Sequence, residues 1–371
     1  MNRALTQIQV EGFRSLQSVT LRPGRITALI GANGSGKSNL LSLLRMVPLL
    51  RTQSLRRFVG EAGGASSLLH YGPRVTPQLT LRLEFEQESG LNAYGARLGH
   101  AAGDSFIFLD ETVEFQAPGS STPLRVSLGA GHAESRLAED ALTQSGQTSK
   151  FVNNWLSRMN FLHFHDTSAS SPLRQNSRQE DTHYLRSDGS NLASYLRELS
   201  TTHPAAWVRI LGFVRQVAPF IKTLQPTLVA PSKGAISTVR LDWLDERDEV
   251  FGPQHLSDGT LRAIALITAL AQPSEKLPAF ITIDEPELGL HPAALAVFAS
   301  LLRTVSSRCQ ILLATQSPAL LDYFSPDEIV VTNRVNGRTE FNRLIASELE
   351  TWLEDYSLSE LYDKNVLGGR P

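Results

Sequence analysis

The chain has 371 residues, of which 41% are hydrophobic and 19% charged, with a formal net charge of −2. Such a composition is globular and long enough to bury a large core, in one big domain or two to three lobes. It excludes a globally basic nucleic-acid binder, so any DNA contact has to come from a local patch. No apolar run approaches the ~20 residues needed to cross a bilayer. The segment Met1–Gln7 lacks the apolar core of a secretory signal. The single cysteine, Cys309, excludes an internal disulfide and a cysteine-based zinc site, and it opens an apolar run as a buried strand residue. A cytoplasmic protein with no membrane partner is expected.

In chain order, short strands are predicted at 5–10, 19–21 and 26–30. The last runs into Gly31-Ala32-Asn33-Gly34-Ser35-Gly36-Lys37-Ser38, which fits G-x-x-x-x-G-K-[ST] and is followed by the helical pattern from Asn39. That strand–loop–helix setting is what a P-loop demands. Its glycines let backbone N–H groups face a triphosphate, and the helix start adds its positive dipole end. Lys37 then reaches the β- and γ-phosphates, and the Ser38 hydroxyl ligates Mg²⁺. The chemistry predicted is nucleotide binding, with Asn33, Gly34, Ser35, Gly36 and Asn39 as further cradle residues.

Alternating strands follow at 79–85, 106–115 and 124–128, separated by Gly/Ser/Pro-rich loops at 60–67 and 117–123. Residues 134–158 read as a helix, 161–164 as a strand and 166–178 as a polar loop. A helical stretch covers 191–217 with a break at His203-Pro204, and 237–243 alternates like a strand. The last third alternates helix and strand, which argues for a parallel sheet. Helices are expected at 261–271, 293–305 and 318–323, and strands at 280–283 and 311–314. A hairpin turns at Asn336-Gly337 between 328–332 and 339–344. There is no internal repeat and no sustained heptad.

Phe280-Ile281-Thr282-Ile283-Asp284-Glu285 ends a buried strand in two carboxylates. Neighbouring strand residues face opposite ways, so Asp284 is a candidate for the Mg²⁺ shell and Glu285 for an attacking water. Upstream, Leu256-Ser257-Asp258-Gly259-Thr260 opens a helix. Ser257 or Asp258 can simply cap it, and the same geometry can bind a γ-phosphate. Four histidines, His163, His165, His183 and His203, fit no metal-ligand spacing, and His163 is expected in the core. Arg51, Arg56 and Arg57 form a small basic group that could meet DNA phosphates, with a solvated helix face as the favoured reading.

Gly31–Ser38, Leu256–Thr260, Phe280–Glu285 and Ala314-Thr315-Gln316-Ser317 stand in the order of Walker A, signature, Walker B and switch motifs. The chain resembles an ABC-type ATPase head of the group containing RecF, the structural-maintenance-of-chromosomes (SMC) proteins and the overcoming-lysogenisation-defect (OLD) ATPases. It is most similar there to compact, stand-alone AAA-family (RecF-like) ATPases. Glu11–Leu16, Phe164–Ser168 and the segment Gly368-Gly369-Arg370-Pro371 share that likeness. The resemblance implies an α/β P-loop NTPase fold with a mixed β lobe and a helical lobe and no long coiled coil. Lobe boundaries are expected at 1–165, 166–255 and 256–371.

The resemblance further implies a homodimer that sandwiches ATP, with Ser257 and Gly259 on the γ-phosphate held by the second subunit. Glu285 would be the general base, Pro286–His291 the D-loop, and Arg14 a phosphate contact. Gln316 replaces the usual switch histidine, and no Q-loop glutamine stands out; His165 and Asp166 occupy that place. The implied activity is Mg²⁺-dependent ATP hydrolysis coupled to DNA or to a partner such as a nuclease. A complete nuclease of the OLD kind is disfavoured because only some fifty residues follow Ser317-Pro318. A transporter subunit is disfavoured by the form of the signature.

Overall fold

The apolar run at Ile26–Ile30 is a strand buried along its whole length, flanked by two parallel partners, Gln310–Thr315 and Ile329–Val335. Strands covered on both faces lose the in–out alternation and read as continuous apolar segments, as here. In this computed structural model, which describes residues 4–230 and 236–370, the strand order is Arg338–Arg343, Ile329–Val335, Ile26–Ile30, Gln310–Thr315, Phe280–Asp284. The Asn336-Gly337 hairpin forms as expected, with both residues at positive φ.

The chain divides into two compact units. The first comprises 1–159, 279–282 and 310–371, and the second 160–278 and 283–309. The chain passes between them inside the strands Met159–Leu162 and Phe280–Asp284.

The first unit also holds an antiparallel sheet, ordered Leu16–Leu21, Ala4–Phe13, Gln78–Gln87, Gly90–Ala101, Ser105–Gln116, Leu124–Gly129. Leu79, Leu81, Leu83 and Phe85 alternate inward along one strand, the period-two pattern that made it legible. Gly90–Ala101 was not expected as a strand. Its Gly95 and Gly99 blur the pattern, yet a side chain at Gly99 would press on Leu109 at 3.0 Å. Two further departures are local. Residues 60–67, expected as a loop, contribute to the helices Leu55–Glu61 and Ala65–Leu68. The helix expected over 134–158 is broken into Leu137–Asp140 and Gln147–Leu156. The chain turns at Gly146, where a Cβ would sit 2.0 Å from the Asp140 carbonyl oxygen.

Behind this sheet, Trp155 stacks obliquely on Phe85 at 4.6 Å between ring centroids. Glu111 is fully buried and accepts four hydrogen bonds: Tyr94 Oη at 2.7 Å, Ser135 Oγ at 2.5 Å, Arg136 N at 2.9 Å and His132 Nε2 at 2.9 Å. Burial, with Glu111 alongside, pushes the Tyr94 hydroxyl well above the usual tyrosine range. Glu111→Ala strands these donors in a dry core, so it is expected to cost about 3–5 kcal/mol. Thermal unfolding checks this; a melting temperature unchanged from wild type would refute it.

The second unit is mainly helical: Leu192–Thr202, Pro204–Val217, Asp258–Ala271 and Pro292–Ser306. The break at His203 falls where expected, with Pro204 supplying the preset φ of a first helical residue. Every residue from Leu261 to Ala271 is buried, because the helix packs against both Pro204–Val217 and Pro292–Ser306. A hairpin pairs Thr223–Val229 with Thr238–Leu244. Its first strand was missed, since Pro226 argues against a strand except at a sheet edge, where it lies. Among the described residues the longest helix has 15 residues, and none is long and apolar enough to cross a membrane.

Candidate nucleotide site

In the first unit the buried strand Ile26–Ile30 delivers the chain to Gly31, and the helix Lys37–Leu50 starts directly after Gly36. Gly34 and Gly36 have φ of 76° and 115°. Gly36 is also needed sterically, because a Cβ there would lie 1.9 Å from Thr339 Oγ1. The loop is braced from distant parts of the chain. Thr339 Oγ1 donates to the Ser35 carbonyl (2.8 Å) and shares a 2.7 Å bond with Ser15 Oγ. Asn39 Nδ2 donates to the same Ser15 hydroxyl at 2.6 Å. Ala32 N–H donates to Gly369 O at 2.7 Å. Two of the segments singled out by resemblance thus meet at the loop, through Ser15 and Gly369. Asn39 reaches the loop as one of its braces.

No side chain caps the helix start, and no acidic residue stands in its first turn. The leading N–H groups of such a helix have no intrahelical acceptor and suit an anion. Lys37 is buried, with Nζ 2.5 Å from Gly31 O and 3.1 Å from Ala32 O. The Ser35 hydroxyl is buried with no hydrogen-bond partner, an orphaned polar atom in the middle of the loop. These features fit a polyphosphate. Ser38 and Asn33 are exposed. Gln316 is the first residue beyond Gln310–Thr315, and Thr315 pairs with Ile30, so it emerges beside the strand end that leads into the loop. Arg14 adopts a left-handed φ of 48°. Its N–H donates to Leu68 O at 2.8 Å and its carbonyl accepts from His70 Nδ1 at 2.5 Å. Partial burial lowers the Arg14 pKa from its ordinary value.

In the second unit, strand Phe280–Asp284 ends at Asp284 and Glu285 takes φ +39°. A left-handed backbone costs a non-glycine residue roughly 1–2 kcal/mol. The strand alternation expected of the two acids is therefore corrected: Glu285 lies past the strand, in a left-handed turn. Strain of this kind gathers at functional sites. The following turn, with Leu288 N–H on Glu285 O (3.2 Å), leads to His291, whose Nδ1 caps helix Pro292–Ser306.

Ser257 does cap helix Asp258–Ala271, accepting from Thr260 N at 3.2 Å. The exposed Asp258 accepts from Arg174 Nη2 at 2.7 Å. Arg174 also donates to the carbonyls of Thr167, Pro253 and Leu256. Gly259 lies against Gly289, whose oxygen a Cβ would meet at 2.0 Å. Arg262 donates from Nε to Phe164 O (2.8 Å), from Nη2 to His165 O (2.9 Å) and from Nη1 to Leu288 O. Burial lowers its pKa, while Asp258, Glu285 and Glu287 pull it back up. Neither arginine was anticipated. The available signal was a lone cation inside the apolar run that begins at Leu261.

His163 is corrected from core to exposed, and its ring stacks on His165 at 4.3 Å. A metal reading was set aside because no spacing among the histidines supported it. The fold supplies the third group: His163, His165 and Asp284 place their ligand atoms within 4.8 Å of one another. His203 pairs instead with Glu275 at 3.2 Å, and His183 is exposed. Arg56 and Arg57 are exposed as expected, Arg57 paired with Glu61 at 2.8 Å; Arg51 is half-buried.

Residues 26–322 match the protein family described as "AAA domain, putative AbiEii toxin, Type IV TA system". The chain belongs to this AAA-domain family. A curated relative named as an OLD nuclease, from Thermus scotoductus, is 24% identical over 382 residues, spanning 99% of this chain and 68% of the relative. The chain also superimposes on an SMC head bound to the C-winged helix domain of ScpA, with a TM-score of 0.60 at 15% identity over 94% of this chain and 99% of that one. An SMC head with an extended coiled coil bound to the C-terminal domain of ScpA, from Pyrococcus furiosus, gives 0.55 at 12% identity, covering 95% and 99%. The fold is that of an SMC-type ABC ATPase head, and no long coiled coil occurs among the described residues.

Proposed function

We propose that the ATPase binds Mg²⁺–ATP, hydrolyses it, and couples nucleotide state to self-association. The observation that carries this reading is the braced loop Gly31–Ser38, with its uncapped helix start and the orphaned Ser35 hydroxyl. In this reading Lys37 and the loop N–H groups hold the phosphates, and Arg14 adds a positive charge near them. Ser38 and Asp284 would hold Mg²⁺, which would supply charge neutralisation at the phosphates. Glu285 accepts the proton of the attacking water, and Gln316 orients that water. Ser257, Asp258 and Gly259 are offered to ATP held by a second copy. Ser257 already points a lone pair at a helix N-terminus, where an anion would compete for the same N–H groups.

Closure of two copies on ATP is then the output, passed to DNA or to a partner protein. The relative named as an OLD nuclease favours a DNA-related role, with a separate nuclease or toxin as effector. DNA repair, antiviral defence or toxin-like regulation, in the cytoplasm, are the settings this suggests. Sizing chromatography with and without ATP tests the scheme. Wild type is expected to shift to a dimer with ATP. Gly259→Ala, which forces apart Gly259 and Gly289, is expected to bind ATP yet stay monomeric. A wild-type elution indifferent to ATP would overturn the proposal.

A further inference from the structure

We propose that His163, His165 and Asp284 form a binding site for a divalent transition-metal ion of the zinc and cobalt class, which takes a different ion from the Mg²⁺ that accompanies ATP but shares Asp284 with it. The three donors lie in one unit and their ligand atoms fall within 4.8 Å of one another. Zn–N and Zn–O bonds of about 2.0–2.2 Å put tetrahedral ligand atoms roughly 3.4 Å apart, so a modest side-chain rotation closes the set. Residues 163 and 165 are two apart on a segment that continues the alternation of strand Met159–Leu162. Leu162 and Phe164 are buried, whereas His163 is exposed and His165 half-buried. That period brings both imidazoles to one side.

The backbone beneath them is fixed before any ion arrives. Ser187 O accepts from His163 N–H at 2.9 Å. Arg262 holds the carbonyls of Phe164 and His165, at 2.8 and 2.9 Å. His165 Nε2 lies 2.9 Å from the backbone oxygen of Asp284. A carbonyl only accepts, so Nε2 carries the hydrogen, and in the neutral ring Nδ1 keeps the lone pair. An imidazole whose other nitrogen donates to a carbonyl is the usual state of a metal-binding histidine. The donor set decides the ion. Mg²⁺ prefers an oxygen shell, whereas two imidazoles and one carboxylate select zinc-like ions. Asp284 is also assigned to Mg²⁺, so an ion seated here withdraws it from that role. Inhibition of hydrolysis by zinc rests on the nucleotide reading above; binding of the ion does not.

The test is a Co²⁺ titration of the full chain without nucleotide, read by the ligand-field absorption of bound Co²⁺, with Zn²⁺ as competitor. Wild type is expected to develop an intense, low-symmetry spectrum that Zn²⁺ abolishes. His163→Ala, at an exposed position, is expected to bind Co²⁺ at least about tenfold more weakly, because three ligands become two. The milder His165→Gln is expected to weaken it likewise. Binding of Mg²⁺–ATP is expected to be unchanged in His163→Ala. A wild-type spectrum no different from aquated Co²⁺, or equal Co²⁺ affinity in His163→Ala, overturns the proposal. A chain that binds Co²⁺ but not Mg²⁺–ATP would sink the nucleotide reading and leave this site standing.

Discussion

Glu285→Gln is expected to keep ATP and stop hydrolysing it. An amide has nearly the shape of the carboxylate, so the left-handed turn at φ +39° and the bond from Leu288 N–H are undisturbed. What disappears is the proton acceptor. General-base contributions of this kind amount to about 10²–10⁴-fold, so kcat is expected to fall by that factor. ATP affinity stays close to wild type, because the ground state makes no use of the base. With hydrolysis blocked, an ATP-closed dimer accumulates and elutes as such, whereas wild type returns to monomer as ATP is consumed. Steady-state turnover and sizing chromatography read the two halves separately. A variant that turns over normally removes Glu285 from the chemistry, and one that stays monomeric with ATP removes the dimer.

Lys37→Ala is expected to lose ATP binding. The ammonium is buried at the loop, with the carbonyls of Gly31 and Ala32 as neighbours. A charge-assisted bond to phosphate is worth about 1.5–3 kcal/mol, and in the proposed complex Lys37 would make more than one, so a loss of at least ~100-fold is expected. Calorimetric titration with Mg²⁺–ATP measures it. Loosening of the empty loop is a separate matter, checked by thermal unfolding. The braces Thr339–Ser35 and Asn39–Ser15 do not involve Lys37, so the melting temperature should move little. Unchanged affinity would take the loop out of nucleotide binding altogether.

Much of this architecture was readable because its signals are short-ranged. The P-loop, the acidic end of Phe280–Asp284 and the helix beginning after Ser257 lie within a few residues each, and each carries its own periodicity and punctuation. The misses have local causes too. Gly95 and Gly99 hid one strand, Pro226 hid another, and the turn at Gly146 split a helix that composition had joined. Ser257 shows the limit of a motif. Sequence left capping and phosphate binding open together, and the structure shows the cap while leaving the hydroxyl at a helix start.

Sequence alone determined that a glycine-rich loop follows one buried strand, that Asp284 and Glu285 stand at the end of another, and that the last third alternates helices with strands, two of which run parallel to Ile26–Ile30. Hydrophobic period, glycine spacing and helix-start chemistry act over a handful of residues, and a chain displays them before it folds. Tertiary structure decided what braces these pieces. Ser15 meets Thr339 across 324 positions, Gly369 meets Ala32, and Arg262 gathers Phe164, His165 and Leu288. It also brought Asp284 to His165, 119 positions away, which no spacing rule among the histidines could foresee. Such contacts arise when sheet order and helix packing bring remote segments together, and a pattern with a period of two or 3.6 residues holds no record of them.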